Sequence, residues 1–157
     1  MTEGLLYPAL SELLPHAAPA ILLDEIIDWS SEHIIARVTI GAATAWRLNT
    51  GVPAHVAIEY MAQACAAWVG LEAHRAGGRP RIGLLLGTRD FVAIRSWFCD
   101  GESLEVSARP VYRDNEMGVF DTRVTLGAEE LCRAQLTVVQ PDDPGSVLGP
   151  HPRAIDG

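Results

Sequence analysis

The sequence predicts an α+β fold in which an antiparallel sheet wraps around one long central helix. The longest stretch of low polarity is residues 52–71, which is rich in Ala, Met and Leu, residues that favour helices. Apolar residues lie on almost every side of this predicted helix, a pattern typical of a helix that protein surrounds. Most other segments have the composition of strands, and one sheet wrapped around a single helix accounts for both observations.

The elements follow one another in a simple order. Residues 5–14 predict a short helix or turn, and two strands are predicted over 21–29 and 33–40, joined by a hairpin turn. The central helix is predicted over 53–74, because Pro53 suits a first helical turn and the Gly-Gly-Arg-Pro stretch beyond it ends the helix. Five strands are predicted in the second half of the chain, with turn residues between most of them: 81–88, 89–97, 104–114, 117–126 and 130–140.

Two strands, one long helix and an antiparallel meander make the architecture of the hotdog fold. A length of 157 residues with 48% hydrophobic residues fits one domain with a full core, which we predict over residues 1–140. Residues 141–157 are rich in Pro and Gly and have no apolar period, so they are predicted to form a mobile C-terminal tail.

The composition excludes several classes of function. A net charge of −8 argues against nucleic acid as a partner, because phosphate binding needs a cationic surface. The cysteines, Cys65, Cys99 and Cys132, lack the paired spacing of a zinc or redox motif and are predicted to be reduced, buried thiols. With neither a ligand cluster nor a Gly-rich phosphate loop, we expect no metal and no organic cofactor.

Membrane insertion and export are also disfavoured. The apolar run is nearly long enough to cross a bilayer, but a Glu near its centre argues against a membrane span. The N-terminus has neither the basic region nor the apolar core of a signal peptide, so a cytoplasmic location is expected.

The central helix carries the first functional clue. His55, Glu59 and Gln63 follow one another at a spacing of four and are therefore predicted to share one face. Glu59 lies between apolar neighbours, so we expect it to be desolvated, with a raised pKa that lets it give up a proton near neutral pH. The alternative from the residues alone is a structural Glu that is hydrogen-bonded or paired with an Arg.

Three segments resemble the β-hydroxyacyl-acyl-carrier-protein dehydratases of fatty-acid synthesis, the FabZ/FabA type. The first is Leu14-Pro-His-Ala-Ala-Pro-Ala-Ile-Leu-Leu-Asp-Glu-Ile-Ile-Asp-Trp29, which is similar to the family's opening motif. The second is Pro53-Ala-His-Val-Ala-Ile-Glu-Tyr-Met-Ala-Gln-Ala64, similar to the family's Pro-Gly-Val helix, and the third is Gly101-Glu-Ser-Leu-Glu-Val106. The resemblance covers residues 5–140 and is closest to the variant branch of aryl-polyene and polyketide-type dehydratases.

The resemblance implies roles for individual residues. Glu59 matches the family's catalytic carboxylate, and Ala54 matches the Gly whose backbone N–H polarises the thioester carbonyl, where free N–H groups and the helix dipole favour negative charge. Gln63 matches a packing and orienting residue, and His16 matches the His of the opening motif.

One part of the family pattern is missing. The family carries its catalytic His in a loop about fourteen residues before the Glu, and residues 43–51 contain no His. Two replacements are available in this chain, His16 and His55. We favour His16, because His55 lies one turn before Glu59 and would approach the substrate from the same side as the acid; His55 is then expected to bind or orient the substrate.

The resemblance implies a hydro-lyase that converts a (3R)-hydroxyacyl thioester on acyl-carrier protein to the trans-2-enoyl thioester, with a His as base and Glu59 as acid. It also implies a homodimer or higher oligomer, or a heterodimer with a related subunit. The acidic carrier protein is expected to dock against local arginines: Arg47, Arg79, Arg89 and Arg95. Two alternatives stay open, an acyl thioesterase on the same fold and a non-catalytic acyl-binding subunit of a dehydratase complex.

Overall fold

The central helix, α2, runs from Ala57 to Arg75 and is preceded by one 3-10 turn over Ala54–Val56. The structure is a computed structural model, and it describes residues 7–14, 21–41, 44–49, 51–78 and 84–140. The other elements, in chain order, are α1 (Leu10–Leu13), β1 (Glu25–Ser30), β2 (His33–Thr39), β3 (Gly51–Pro53), β4 (Leu84–Ala93), β5 (Trp97–Cys99), β6 (Ser103–Arg113), β7 (Met117–Leu126) and β8 (Glu129–Val139).

Six strands form one antiparallel sheet in the order β1-β2-β6-β7-β8-β4, and β3 pairs with β5 in a separate two-stranded sheet. Side chains alternate along β2, β6 and β7, so that every second one is buried against α2. This is the predicted hotdog arrangement, with the sheet wrapped around the helix. β1 and β4 are the two edges of the large sheet, and an edge strand offers backbone groups to another chain.

Three predicted boundaries are wrong. The first strand begins only at Glu25, because residues 21–24 lie alongside α2 instead of pairing over their length. The predicted strands 81–88 and 89–97 are replaced by the continuous strand β4 and the short β5. Asp90 adopts a φ of 55° and the register shifts between Arg89 and Val92, so a bulge within one strand lies next to the expected boundary between two strands. The three-residue strand β3 was not predicted, and residues 141–157 lie outside the described residues.

The two halves of α2 pack against different elements. In the C-terminal half, the Trp68 ring meets the edge of Phe120 at 5.8 Å, and its Nε1–H donates to the Ser30 carbonyl at 2.9 Å. At Gly70, a Cβ would lie 2.4 Å from the Leu13 carbonyl oxygen, so only glycine lets α1 approach this closely. The N-terminal half, which carries the predicted site residues, is held by the small β3-β5 sheet.

Candidate active site

The small sheet positions the start of the central helix. Pro53, the last residue of β3, pairs with Trp97 of β5, and the Ala54 N–H donates to the Ser96 carbonyl at 2.9 Å. Gly51 makes this possible, because a side chain there would meet the Phe98 carbonyl oxygen at 2.4 Å. The helix therefore begins at a fixed point of the fold, beside β5.

One face of this helix start is left uncovered by the chain. His55 and Glu59 are exposed, and Ile58 and Ala62 are half-buried, whereas the residues between them are buried. These four residues follow the i, i+3, i+4, i+7 spacing of a single helix face, and we call them the uncovered strip. His55 and Glu59 lie one turn apart on it.

The expected desolvation of Glu59 is wrong for the chain by itself. The sheet and β5 cover the sides of the helix that carry Ala57, Tyr60 and Met61, while Glu59 points to the open side. The described residues of the chain therefore leave this carboxyl in contact with water. The apolar neighbours Ile58 and Ala62 lie on the same open side and cannot enclose it without a further surface.

The predicted oxyanion donor is already paired. Because the Ala54 N–H donates to Ser96, it would have to break that bond before it could serve a thioester oxygen. This contact is not predictable from the sequence, because Ser96 precedes the three-residue strand β5, whose pairing with β3 joins distant parts of the chain.

Gln63 is buried, with 4% of its surface exposed, and so does not share the open face with Glu59. Its Oε1 accepts the Leu22 N–H at 2.8 Å, which ties the segment before β1 to the central helix. This contact agrees with the packing and orienting role implied by the resemblance. His16, the predicted base, lies outside the described residues, between α1 and this anchored segment.

Tyr60 is a polar residue of this region that the sequence analysis did not single out. It is 1% exposed, its ring lies 6.2 Å from that of Phe98, and within the described chain its Oη is the buried side-chain atom without a hydrogen-bond partner. Burial, reinforced by the nearby charge of Asp24, raises the pKa of Tyr60 to about 12. The signal available in the sequence was a hydroxyl inside an apolar helix, next to the candidate acid.

The loop that corresponds to the catalytic-His loop of the resembling family contains no His in this chain. Ala45 stands fourteen residues before Glu59, and the next residue, Trp46, has a φ of 60° and is 55% exposed. A bulky side chain in this left-handed region is strained. Arg47 fixes the loop through two hydrogen bonds to the Asp100 carboxylate, one from its Nε at 2.9 Å and one from its Nη2 at 2.5 Å.

The predicted docking arginines fall into three groups. Arg47 pairs with Asp100 and Arg95 pairs with Glu102, and each arginine lowers the pKa of its carboxylate partner. Arg79 lies outside the described residues. Arg89, on the edge strand β4, is exposed and makes no ion pair with any residue that the structure describes. Among the members of this set that the structure describes, Arg89 is the cation available to a partner.

Exposed apolar side chains lie in the segments of the chain that adjoin the helix start. Ile94 and Trp97, which flank the Ser96 carbonyl, are 61% and 45% exposed, and Val92 on the edge strand is 41% exposed. Trp46 and Leu48, in the loop before β3, are each 55% exposed. Clustered exposed apolar residues mark surfaces that bind a ligand or another protein.

The described residues contain no group of three or more His, Cys, Asp or Glu side chains that could hold a metal ion. Cys65 and Cys132 are buried, as expected, and burial raises the pKa of each thiol; Cys99 is exposed, contrary to expectation. In the part of the chain that the structure covers, no helix has the length and apolarity needed to span a membrane.

Comparison with known proteins places these features in context. A family model, ApeP-like, described as ApeP dehydratase, matches residues 8–149. The dehydratase heterocomplex ApeI:P from Xenorhabdus doucetiae contains a chain that is 27% identical, with a TM-score of 0.84 over 90% of this chain and 97% of that chain. Comparison with curated protein sequences gave no match.

More distant structures share the fold. A hypothetical thioesterase with coenzyme A from Streptococcus pneumoniae TIGR4 is 13% identical, with a TM-score of 0.58 over 74% of this chain and 84% of that chain. The E. coli PaaI protein from the phenylacetic acid degradation operon is 14% identical, with a TM-score of 0.55 over 73% of this chain and 81% of that chain. At this level of identity the likeness concerns the hotdog fold alone.

Proposed function

Because the chain belongs to the ApeP-like family of dehydratases, we propose that it is a subunit of a (3R)-hydroxyacyl-acyl-carrier-protein dehydratase in which Glu59 is the acid. The observation that carries the proposal is the uncovered strip at the start of α2. It presents a carboxyl and an imidazole one turn apart, and the segments that adjoin it carry exposed apolar side chains. Such a surface carries the groups of an acid-base site, but the single chain does not shield them from water as the reaction requires.

The proposed reaction removes water from C2 and C3 of the acyl chain. An imidazole takes the proton from C2, the C–H electrons form the C2–C3 double bond, and the C3–O bond breaks. Glu59 gives its proton to the departing hydroxyl, which leaves as water. The charge that builds on the thioester oxygen must be met by a hydrogen-bond donor, since that is where the transition state differs most from the substrate.

We infer that a second, related hotdog subunit completes the site. The sheet of a second subunit could pair with the free edge of β4. Its apolar residues could then cover the exposed apolar side chains near the helix start and enclose the uncovered strip. The similar protein from Xenorhabdus doucetiae is a dehydratase heterocomplex, which supports a heterodimer. Burial of Glu59 in such an interface would supply the desolvation that the single chain lacks.

The base is an imidazole with two candidate sources. The first is His16, which lies in the sequence between two residues that contact α2. Leu13 packs against Gly70, and the Leu22 N–H donates to Gln63. The other source is a His of the second subunit, since position 45 of this chain holds Ala. His55, on the same helix turn as the acid, is assigned to substrate binding.

The acyl chain is proposed to arrive on an acidic carrier protein. The chain itself carries a net charge of −8, so a carrier of the same sign needs a local cation to dock. Arg89 is suited to this, because Arg47 and Arg95 are held by their own carboxylates.

The direct test is Glu59→Gln in the protein purified together with its second subunit, with a 3-hydroxyacyl thioester as substrate. We expect kcat to fall roughly 10²- to 10⁴-fold, the usual contribution of a positioned general acid. Glu32→Gln, at an exposed Glu in the β1-β2 turn, is the control and should match the unmodified protein. Full activity of the Glu59 variant would reject the assignment and favour a non-catalytic, acyl-binding role.

Two further variants locate the base. A loss of kcat in His16→Ala, together with a raised KM and an unchanged kcat in His55→Ala, assigns the base to His16 and substrate binding to His55. An unchanged kcat in both variants assigns the base to an imidazole of the second subunit.

A thioesterase is the second candidate function, because Glu59 is open to solvent in the chain by itself, and an exposed carboxylate can activate water. The same reaction mixture separates the two. Enoyl thioester as product supports dehydration, whereas free acid and thiol without enoyl product mean that the thioester was hydrolysed.

A further inference from the structure

The proposed chemistry lacks one component, a hydrogen-bond donor for the thioester oxygen. The donor implied by the family resemblance, the Ala54 N–H, is occupied by the Ser96 carbonyl at 2.9 Å. That bond joins the helix start to the residue before β5, so breaking it would loosen the small sheet that positions the helix. If a substrate oxygen accepted the Ala54 N–H, the hydrogen bond from Ala54 to Ser96 would be lost.

The core contains a donor with the opposite problem. Tyr60 directly follows Glu59 and is 1% exposed, and among the residues that the structure describes its hydroxyl has no hydrogen-bond partner. A buried hydroxyl without a partner destabilises the fold. Buried polar groups in native proteins are almost always paired, so an unpaired one needs an explanation such as a missing ligand atom.

The surroundings fix the side of the helix on which this hydroxyl lies. Tyr60 and Gln63 are three residues apart on α2 and so share a face, and Gln63 reaches the Leu22 N–H at 2.8 Å. Asp24 is close enough for its charge to act on the phenol, but its Oδ2 accepts the Thr39 N–H at 2.7 Å. The hydroxyl therefore faces the seam between α2 and the segment leading into β1, which is also the segment that follows His16.

We propose, on the basis of the function proposed above, that Tyr60 is a catalytic residue whose hydroxyl donates a hydrogen bond to the thioester carbonyl oxygen of the substrate. The acyl chain would enter the seam between α2 and residues 21–24, with Glu59 at its mouth and Tyr60 inside. The phenol remains protonated at neutral pH, since its pKa is about 12, so it acts as a donor throughout the reaction. In a dry site, a fixed donor of this kind stabilises the developing oxyanion without having to reorganise.

Tyr60→Phe tests this, because it removes the hydroxyl oxygen and keeps the ring against Phe98. We expect kcat/KM for a 3-hydroxyacyl N-acetylcysteamine thioester to fall roughly 10²- to 10³-fold, the loss seen when one oxyanion donor is removed. The melting temperature without substrate should stay the same or rise, because an unpaired buried hydroxyl has been deleted. Tyr112→Phe, at an exposed tyrosine, is the matched control and should leave both quantities unchanged.

A second measurement identifies the substrate atom. The saturated acyl thioester has the carbonyl but no C3 hydroxyl, so Tyr60→Phe should weaken its binding by the same factor as that of the hydroxyacyl thioester. Weakening of the hydroxyacyl compound alone would overturn the assignment to the carbonyl.

The outcomes separate this inference from the proposed function. If the unmodified complex makes no enoyl thioester, the proposed function fails and Tyr60 loses its substrate. If the unmodified complex is active and Tyr60→Phe has the same kcat/KM, the hydroxyl serves the fold or a buried water, and only the inference about Tyr60 is rejected.

Discussion

Gly70→Ala should destabilise the protein, although Ala is the better helix former. In an ordinary helix this change gains about 0.5–1 kcal/mol. Here the new Cβ would lie 2.4 Å from the Leu13 carbonyl oxygen, 3.2 Å from its carbon and 3.3 Å from the Leu13 Cα. These are backbone atoms of a neighbouring helix, so they can move only if α1 moves away.

Overpacking of this kind costs about 1–3 kcal/mol, and the upper part of that range applies because the contact is with backbone. Subtracting the helix-propensity gain leaves about 1–2 kcal/mol of destabilisation. For a domain of this size, each kcal/mol lowers Tm by about 2–4 °C, so the expected fall is roughly 2–8 °C.

Thermal melts followed by circular dichroism measure this change. Gly87→Ala is the control, because a Cβ at Gly87 meets nothing within 4 Å, and its melting temperature should stay close to that of the unmodified protein. Because α1 leads into His16, Gly70→Ala should also lower kcat further than an equally destabilising change on β7, such as Val124→Ala. If the melting temperature of Gly70→Ala equals or exceeds that of the unmodified protein, the packing argument is refuted.

Two further predictions concern the contacts that hold the candidate site in place. Gln63→Leu removes the acceptor of the Leu22 N–H and should cost about 1–3 kcal/mol, measured as a lower urea midpoint; an unchanged midpoint would show that this hydrogen bond contributes nothing. Glu102 is held by the Arg95 guanidinium and by the Cys99 N–H, which lower its pKa below the ordinary value of 4.5. A lowered folded-state pKa means that this stabilisation is present above pH 4.5 and is lost as the pH falls toward the folded-state value. Glu102→Gln should therefore melt lower than the unmodified protein at neutral pH and depend less on pH below 4.5, whereas parallel acid profiles of the two proteins would contradict the assignment.

Much of the fold could be predicted because its signals are local. Pro53 and the Gly-Gly pair bound the helix, and β-branched residues with turn residues between them bound most of the meander. The bulge at Asp90 escaped prediction, because only the pairing of β4 with β8 keeps the strand continuous past Arg89, where a boundary between two strands was expected. The pairing of Ala54 with Ser96 escaped for the same reason, since it joins residues far apart in sequence.

The row of polar residues on the helix was predicted in part. A spacing of four in an α-helix advances by about 40° at each step, so Gln63 lies about 80° around the axis from His55. The 3-10 turn over Ala54–Val56 has fewer residues per turn than an α-helix, which further changes the angle between His55 and Gln63 around the helix axis. His55 and Glu59 therefore share the open side, while Gln63 reaches a buried side and bonds to Leu22.

The exposure of Glu59 shows what an apolar pattern can and cannot predict. A helix that is apolar on every side must be covered on every side, but the pattern does not distinguish cover from the same chain and cover from another. Here the sheet covers the sides that carry Tyr60 and Met61, and Ile58 and Ala62 remain half-buried beside Glu59. Apolar residues on the open side would gain free energy from a partner surface, and a carboxyl between them would lose its hydration at the same moment. We therefore expect assembly and activation of the acid to be one event, and the isolated chain should be inactive even with every residue of its own site intact.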